Sequence, residues 1–166
     1  SRYGRRLPEQ PARLSNLLNA LRGEWTTEFG EMLGEMPGGF SVYSATGTSI
    51  AIASGRLPYG LGLHGPCAAY DTACSAALTA SHAGLRALQL AECTTSLVPA
   101  VTVILTPIVS ISFASAGMTS PHGRSHTFDA RADGYARGEA CAALALRHAG
   151  ESCPSVSGCA VRQDGR

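Results

Sequence analysis

The stretch Gly65-Pro66-Cys67-Ala68-Ala69-Tyr70-Asp71-Thr72-Ala73-Cys74-Ser75-Ala76-Ala77-Leu78 decides how this chain folds. Gly65-Pro66 closes a turn-rich connection that starts at Gly60, and the short run from Cys67 to about Asp71 reads as a strand. From Cys74 to Ala91 the residues are mostly Ala, Leu, Ser, Gln and Arg, so a helix is predicted, with Leu78, Leu85, Leu88 and the alanines supplying its buried surface. A cysteine therefore stands where a strand turns into a helix. A thiol at a helix N-terminus lies at the positive end of the helix dipole, near backbone N–H groups that have no intrahelical partner, which favours the thiolate. The same N–H groups can stabilise an oxyanion on a thioester or acyl carbonyl, and the small residues Ala73, Ser75 and Ala76 let an acyl chain approach. On these grounds alone two readings of Cys74 stay open, a nucleophile or an inert buried cysteine, because strand-to-helix turns are common and Cys is often buried.

Working outward, a β-branched run near 98–105 predicts a second strand, and Ile108 to Ala116 reads as a short helix. A loop follows from Gly117 to Asp133. Cys141 to Leu146 is an apolar run that fits a strand, and Ser157 to Val161 reads as another. Upstream, small residues crowd Ser44 to Gly55 and imply close packing. Residues 1–36 place Leu14, Leu17, Leu18, Leu21, Trp25, Phe29 and Leu33 at spacings of three and four, which predicts one or two amphipathic helices ahead of a core at 37–166. Strands alternating with helices make this an α/β chain.

Of 166 residues, 45% are apolar and only 15% are charged, against roughly 25% charged in an average soluble domain. That composition argues for a folded chain rather than a disordered one. A net charge of +1 supplies no field to draw the chain to nucleic acid or an anionic membrane, so neither is expected as a partner. Leu97 to Ala116 carries no charge, but Pro99, Pro107 and several hydroxyl residues interrupt it, and a membrane span is not expected. The charged start Ser1-Arg2-Tyr3-Gly4-Arg5-Arg6 does not read as a signal peptide; the expected location is intracellular, in the cytoplasm, with a plastid as the alternative. Six cysteines without a Cys-x-x-Cys pair are expected to be reduced, mostly buried, and not to hold a structural zinc.

The segment Asp71-Thr72-Ala73-Cys74-Ser75 resembles the active-site region of β-ketoacyl synthases, the ketosynthase domains of polyketide and fatty acid synthases. Thr46-Gly47 through Ser54-Gly55-Arg56-Leu57 and Gly62-Leu63-His64-Gly65-Pro66 are similar to the family's approach to that region. Downstream, Ala116-Gly117-Met118-Thr119-Ser120-Pro121-His122-Gly123-Arg124 resembles its next loop, and Thr127-Phe128-Asp129-Ala130-Arg131-Ala132-Asp133-Gly134-Tyr135-Ala136-Arg137-Gly138-Glu139 is nearly the family sequence. Val161 to Arg166 resembles a further element. The resemblance covers roughly residues 40–166, with the motifs in the family's order.

The resemblance implies a thiolase-like layered α/β fold and a decarboxylative Claisen condensation, with Cys74 as the acylated nucleophile. The acyl group would arrive on the phosphopantetheine of an acyl carrier protein, no bound cofactor or metal is implied, and a homodimer pairing strands near Cys67 to Asp71 is expected. The family decarboxylates with two histidines, in a His-Gly-Thr-Gly-Thr motif and after Asn-Ile-Gly. Neither motif occurs here, so the chain is expected to be an interior fragment, inactive in condensation by itself. His82 lies eight residues past Cys74, roughly 12 Å along a continuous helix, and is expected to pack or hydrogen-bond rather than act as a base. His122 and His126 read as exposed loop residues, and His64 and His148 carry no assigned role. Asp129, Asp133, Arg137 and Glu139 are expected to hold their loop structurally, and Asp71 to orient backbone. Ser110 stands where many members have an aromatic residue in the acyl pocket, and Ala140 replaces a usual glycine, which leaves acyl preference open. Two rivals remain: a thiolase acting on acyl-CoA, and an inactive ketosynthase-like scaffold.

Overall fold

The computed structural model describes residues 14–21, 29–30, 32–35, 42–47, 49–148, 153–163 and 165. Its frame is a four-stranded sheet in the order β2-β1-β3-β4, formed by β1 (Leu14–Leu21), β2 (Cys67–Tyr70), β3 (Thr95–Thr102) and β4 (Ala140–Arg147). β1 runs parallel to both neighbours, in register Leu17↔Ala68 on one side and Ser15↔Ser96 on the other, while β3 and β4 are antiparallel. Helices α1 (Ser44–Gly47), α2 (Ile50–Leu61), α3 (Ala76–Gln89) and α4 (Ile108–Ser115) fill the connections.

β1 corrects the expectation of helix over residues 14–21. Leucines at 14, 17, 18 and 21 satisfy a helical period, but a strand flanked by two parallel neighbours needs no polar–apolar alternation, so its pattern is indistinguishable from a short apolar helical stripe. Trp25 lies outside the described residues, and residues 29–30 and 32–35 are helical. Ser157 to Val161 forms no strand: a strand exists only through a ladder, and none of the described strands pairs with it.

β3 tolerates Pro99 in the sheet's interior for a visible reason. The β1 register runs to Asn16↔Leu97 and resumes at Asn19↔Ala100, so the proline's missing N–H falls in the gap. α3 lies across β1 and β3 through Ala76, Ala80, Gly84, Ala87 and Leu88, one stripe of small residues that brings the helix backbone close to the sheet. Leu78 was expected in that surface but is 69% exposed, because it sits about 200° around the helix from Ala76 at 3.6 residues per turn. Val98 packs on Ala80, and Leu88 packs beside Cys93. At the other end of the sheet, the Cys67 thiol donates to the Ser54 carbonyl oxygen at 3.1 Å and ties β2 to α2.

Leu97 to Ala116, the charge-free stretch, is divided between β3 and α4, and no helix among the described residues is long and apolar enough to cross a membrane. Large apolar side chains stand open to solvent, Phe128, Tyr59 and Val42 most of all. Of the six cysteines only Cys93 is buried, which corrects the expectation that most would be, because the others lie on strands, turns and loops that no described element covers.

Candidate active site

β2 ends at Tyr70, and the chain reaches α3 through a single 3-10 turn, Ala73–Ser75, with Cys74 at its middle. The strand–turn–helix read from the sequence is therefore present, and Cys74 is exposed rather than buried. The turn is strained. Ala73 has φ +52, a left-handed conformation that an alanine adopts at a cost of about 1–3 kcal/mol. It is held in place by short-range hydrogen bonds. The Ala73 N–H donates to Asp71 Oδ1 at 3.3 Å, and the Ser75 N–H donates to the Thr72 carbonyl oxygen at 3.3 Å. Asp71 thus orients backbone, as its position suggested.

Cys74 opens onto a cavity of about 780 Å³. Ala73, Ala76 and Ala77 give its floor the small side chains expected beside an acyl-accepting thiol. Ala100 and Thr102 at the end of β3 form a second wall, and Phe113 of α4 with Met118 a third. Tyr135, Arg137 and Gly138 close it from the loop that leads into β4. The resemblance puts Ser110 at the pocket position of α4, but Ser110 is not among the lining residues; the aromatic side chain that α4 turns to the cavity is Phe113, one turn later, and Tyr135 adds a second from the loop. The signal for Phe113 was a lone Phe at i+3 from Ser110, the same helix face.

The charged residues of the loop and just beyond it act on the backbone and on one another. Glu139 Oε1 accepts the Ile104 N–H at 2.8 Å, joining residues 35 apart in sequence just beyond β3. Arg131 forms a bidentate pair with Asp129, through Nε at 3.0 Å and Nη2 at 2.6 Å, which holds the Asp129 carboxyl below its ordinary range. Hydrogen bonds from Ser120 and His122 lower Asp133 in the same way, and His122 Nδ1 lies 3.0 Å from its Oδ2. Arg137 is the exception to a purely structural reading: its guanidinium sits 4.8 Å from the Phe113 ring centroid and both line the cavity. Gly134 is required where it stands. With φ +133, a Cβ there would lie 2.5 Å from the Ser120 nitrogen, inside the Thr119–Tyr135 bridge that shapes the cavity wall.

The histidines divide differently from expectation. His122 is exposed but engaged with Asp133, and His126 is half-buried rather than exposed, with φ +20. His82 is half-buried on α3, with no hydrogen-bond partner for its Nδ1 among the described residues. His64 and His148 are exposed.

The Cys74 turn thus opens onto a cavity lined by small residues of α3 and by the end of β3. Residues 20–151 match the family model described as "Beta-ketoacyl synthase, N-terminal domain", and the chain belongs to that family. It is 39% identical over 153 residues to a phenolphthiocerol/phthiocerol polyketide synthase of Mycobacterium tuberculosis, covering 88% of this chain and 10% of that protein. A polyketide synthase-nonribosomal peptide synthetase of Pyricularia oryzae is 39% identical over 125 residues, 75% of this chain and 3% of that one. Among solved structures, the ketosynthase from module 6 of the bacillaene synthase of Bacillus subtilis 168 superposes with a TM-score of 0.69 at 36% identity, over 82% of this chain and 22% of that one. The oxazolomycin ketosynthase domain of Streptomyces albus JA3453 gives 0.69 at 28% identity, over 82% and 23%. The fold is accordingly the thiolase-like one of ketosynthases, and the resemblance is to the polyketide synthase kind. The chain spans a tenth or less of the length of these curated relatives.

Proposed function

We propose that this chain carries the acyl-accepting half of a ketosynthase site, with Cys74 as the nucleophile. The Cys74 thiolate attacks the carbonyl carbon of a thioester on the phosphopantetheine arm of an acyl carrier protein; the carrier thiol leaves and the acyl group stays on Cys74. Loss of CO2 from a malonyl thioester then provides the carbanion that forms the new carbon–carbon bond and expels the Cys74 thiolate. The carrier protein is the partner, inside the cell, and the working enzyme is a homodimer. The observation that carries this reading is the exposed Cys74, set in a strained turn at the start of α3 and opening onto a cavity floored by alanines. The Ala73, Ser75 and Ala76 N–H groups already donate within the turn, so an oxyanion would draw on the Cys74 N–H.

None of the five histidines lies in either of the family's decarboxylating motifs, so these 166 residues alone accept an acyl group without condensing it. The test is to incubate the chain with an acylated carrier protein and map adducts by peptide mass spectrometry. An acyl adduct at Cys74 that disappears in Cys74→Ala supports the reading. No adduct points to a scaffold, a preference for acyl-CoA points to a thiolase, and turnover to a β-ketoacyl product overturns the incompleteness.

A further inference from the structure

Three hydroxyls join the Cys74 turn to the body of α3. Thr72 Oγ1 lies 3.0 Å from Ser75 Oγ and 3.1 Å from Thr79 Oγ1, and Thr79 Oγ1 lies 3.1 Å from the Ser75 carbonyl oxygen. Each hydroxyl has one proton to give: Thr79 donates to the Ser75 carbonyl, Thr72 donates to Thr79, and Ser75 donates to Thr72, whose carbonyl oxygen at 2.9 Å and Oγ1 at 3.0 Å are both in reach. The chain of donors closes around Cys74, spanning the residue before the strained Ala73, the residue after the nucleophile, and a side chain a full turn into the helix. A left-handed alanine persists only where its surroundings over-determine it. Asp71 and the Thr72 carbonyl restrain the turn from within, and the Ala76 N–H donates to the Ala73 carbonyl; Thr79 adds the side-chain link between the turn and the regular part of α3, which is packed on the sheet through Ala76 and Ala80.

We infer that Thr79 is a positioning residue for acyl transfer: its hydroxyl pins the strained turn and thereby aims the Cys74 thiol into the cavity. The inference rests on the ketosynthase reading for the nature of the acyl donor but not for the brace itself. Thr79 does not line the cavity, so a change there leaves the substrate surface intact.

The test compares Thr79→Val, which keeps the shape and removes the hydroxyl, with Thr79→Ser, which keeps the hydroxyl. The probe is the butyryl thioester of N-acetylcysteamine, with single-turnover acylation of Cys74 followed by mass spectrometry. Expected is a fall of threefold or more in the limiting acylation rate of Thr79→Val with an unchanged KM, and a smaller change than threefold in Thr79→Ser. A rate for Thr79→Val within threefold of the original, an effect confined to KM, or an equal loss in Thr79→Ser overturns the inference. Thr79→Ala, favourable in a helix, replaces Thr79→Val under the same thresholds if circular dichroism shows the latter unfolded. Iodoacetamide alkylation of Cys74 runs in parallel. If the original chain is alkylated there but never acylated, the ketosynthase reading fails, and the brace is judged on the alkylation rates by the same thresholds.

Discussion

The Arg137 guanidinium lies over the Phe113 ring, 4.8 Å from its centroid, and the pair forms one wall of the Cys74 cavity. α4 and the loop before β4 are thereby joined through the cavity itself. A cation over an aromatic face is worth about 0.5–1 kcal/mol at a partly exposed site.

Phe113→Ala removes that wall and lengthens the cavity. Acylation by longer thioesters is expected to gain on butyryl by about fourfold for each further methylene admitted, from ~0.8 kcal/mol per buried CH2. Competition between butyryl and octanoyl thioesters measures the ratio, and an unchanged ratio removes Phe113 from the specificity wall.

Gly134→Ala places a Cβ against the Ser120 nitrogen and the Thr119 carbonyl carbon, at 2.5 and 2.6 Å. The backbone has to move, and φ +133 adds strain of its own. Destabilisation of at least about 2 kcal/mol is expected in urea unfolding. Gly138→Ala, with open space around its Cβ, is the control and should change little.

Asp133 makes stability fall in acid. Its carboxyl is lowered from the ordinary 3.8 by hydrogen bonds from Ser120 and then His122, so its contribution is complete above 3.8 and is lost as pH falls through the lower folded value. Asp129, lowered by Arg131, acts in the same direction. Urea midpoints measured from pH 7 down to pH 2 should drop through that window, and Asp133→Asn should flatten part of the drop. An identical slope in the variant would show that the pair does not couple to folding.

Ser96 is fully buried in β3 and its Oγ has no hydrogen-bond partner among the described residues. An unsatisfied buried hydroxyl costs roughly 1–3 kcal/mol, so Ser96→Ala should raise the urea midpoint by an amount worth about 1 kcal/mol. A loss of stability on substitution would show that the hydroxyl is satisfied in solution.

Much of the site could be read before any coordinates. Gly-Pro, a short strand, and a cysteine ahead of a run of helix formers are local signals, and β2, the 3-10 turn and α3 appear where they point. The stretches at 108–116 and 141–146 likewise became α4 and β4 within a residue or so. α2 went unread, because Ser, Ala and Gly in its first turns are as common in loops and Pro58 interrupts it. Ser110 was singled out where Phe113 faces the cavity, since only the rotation of α4 against β3 decides which face looks inward.

By itself the sequence determined the setting of Cys74 and the order of the family's motifs, because a strand–turn–helix is written in residues that are neighbours along the chain. Only the tertiary structure decided that Leu14–Leu21 is the strand between β2 and β3, that alanines rather than Leu78 face the sheet, and that Arg137 meets Phe113. Those outcomes depend on ladder partners and side chains distant in sequence, and such partners can override any local period.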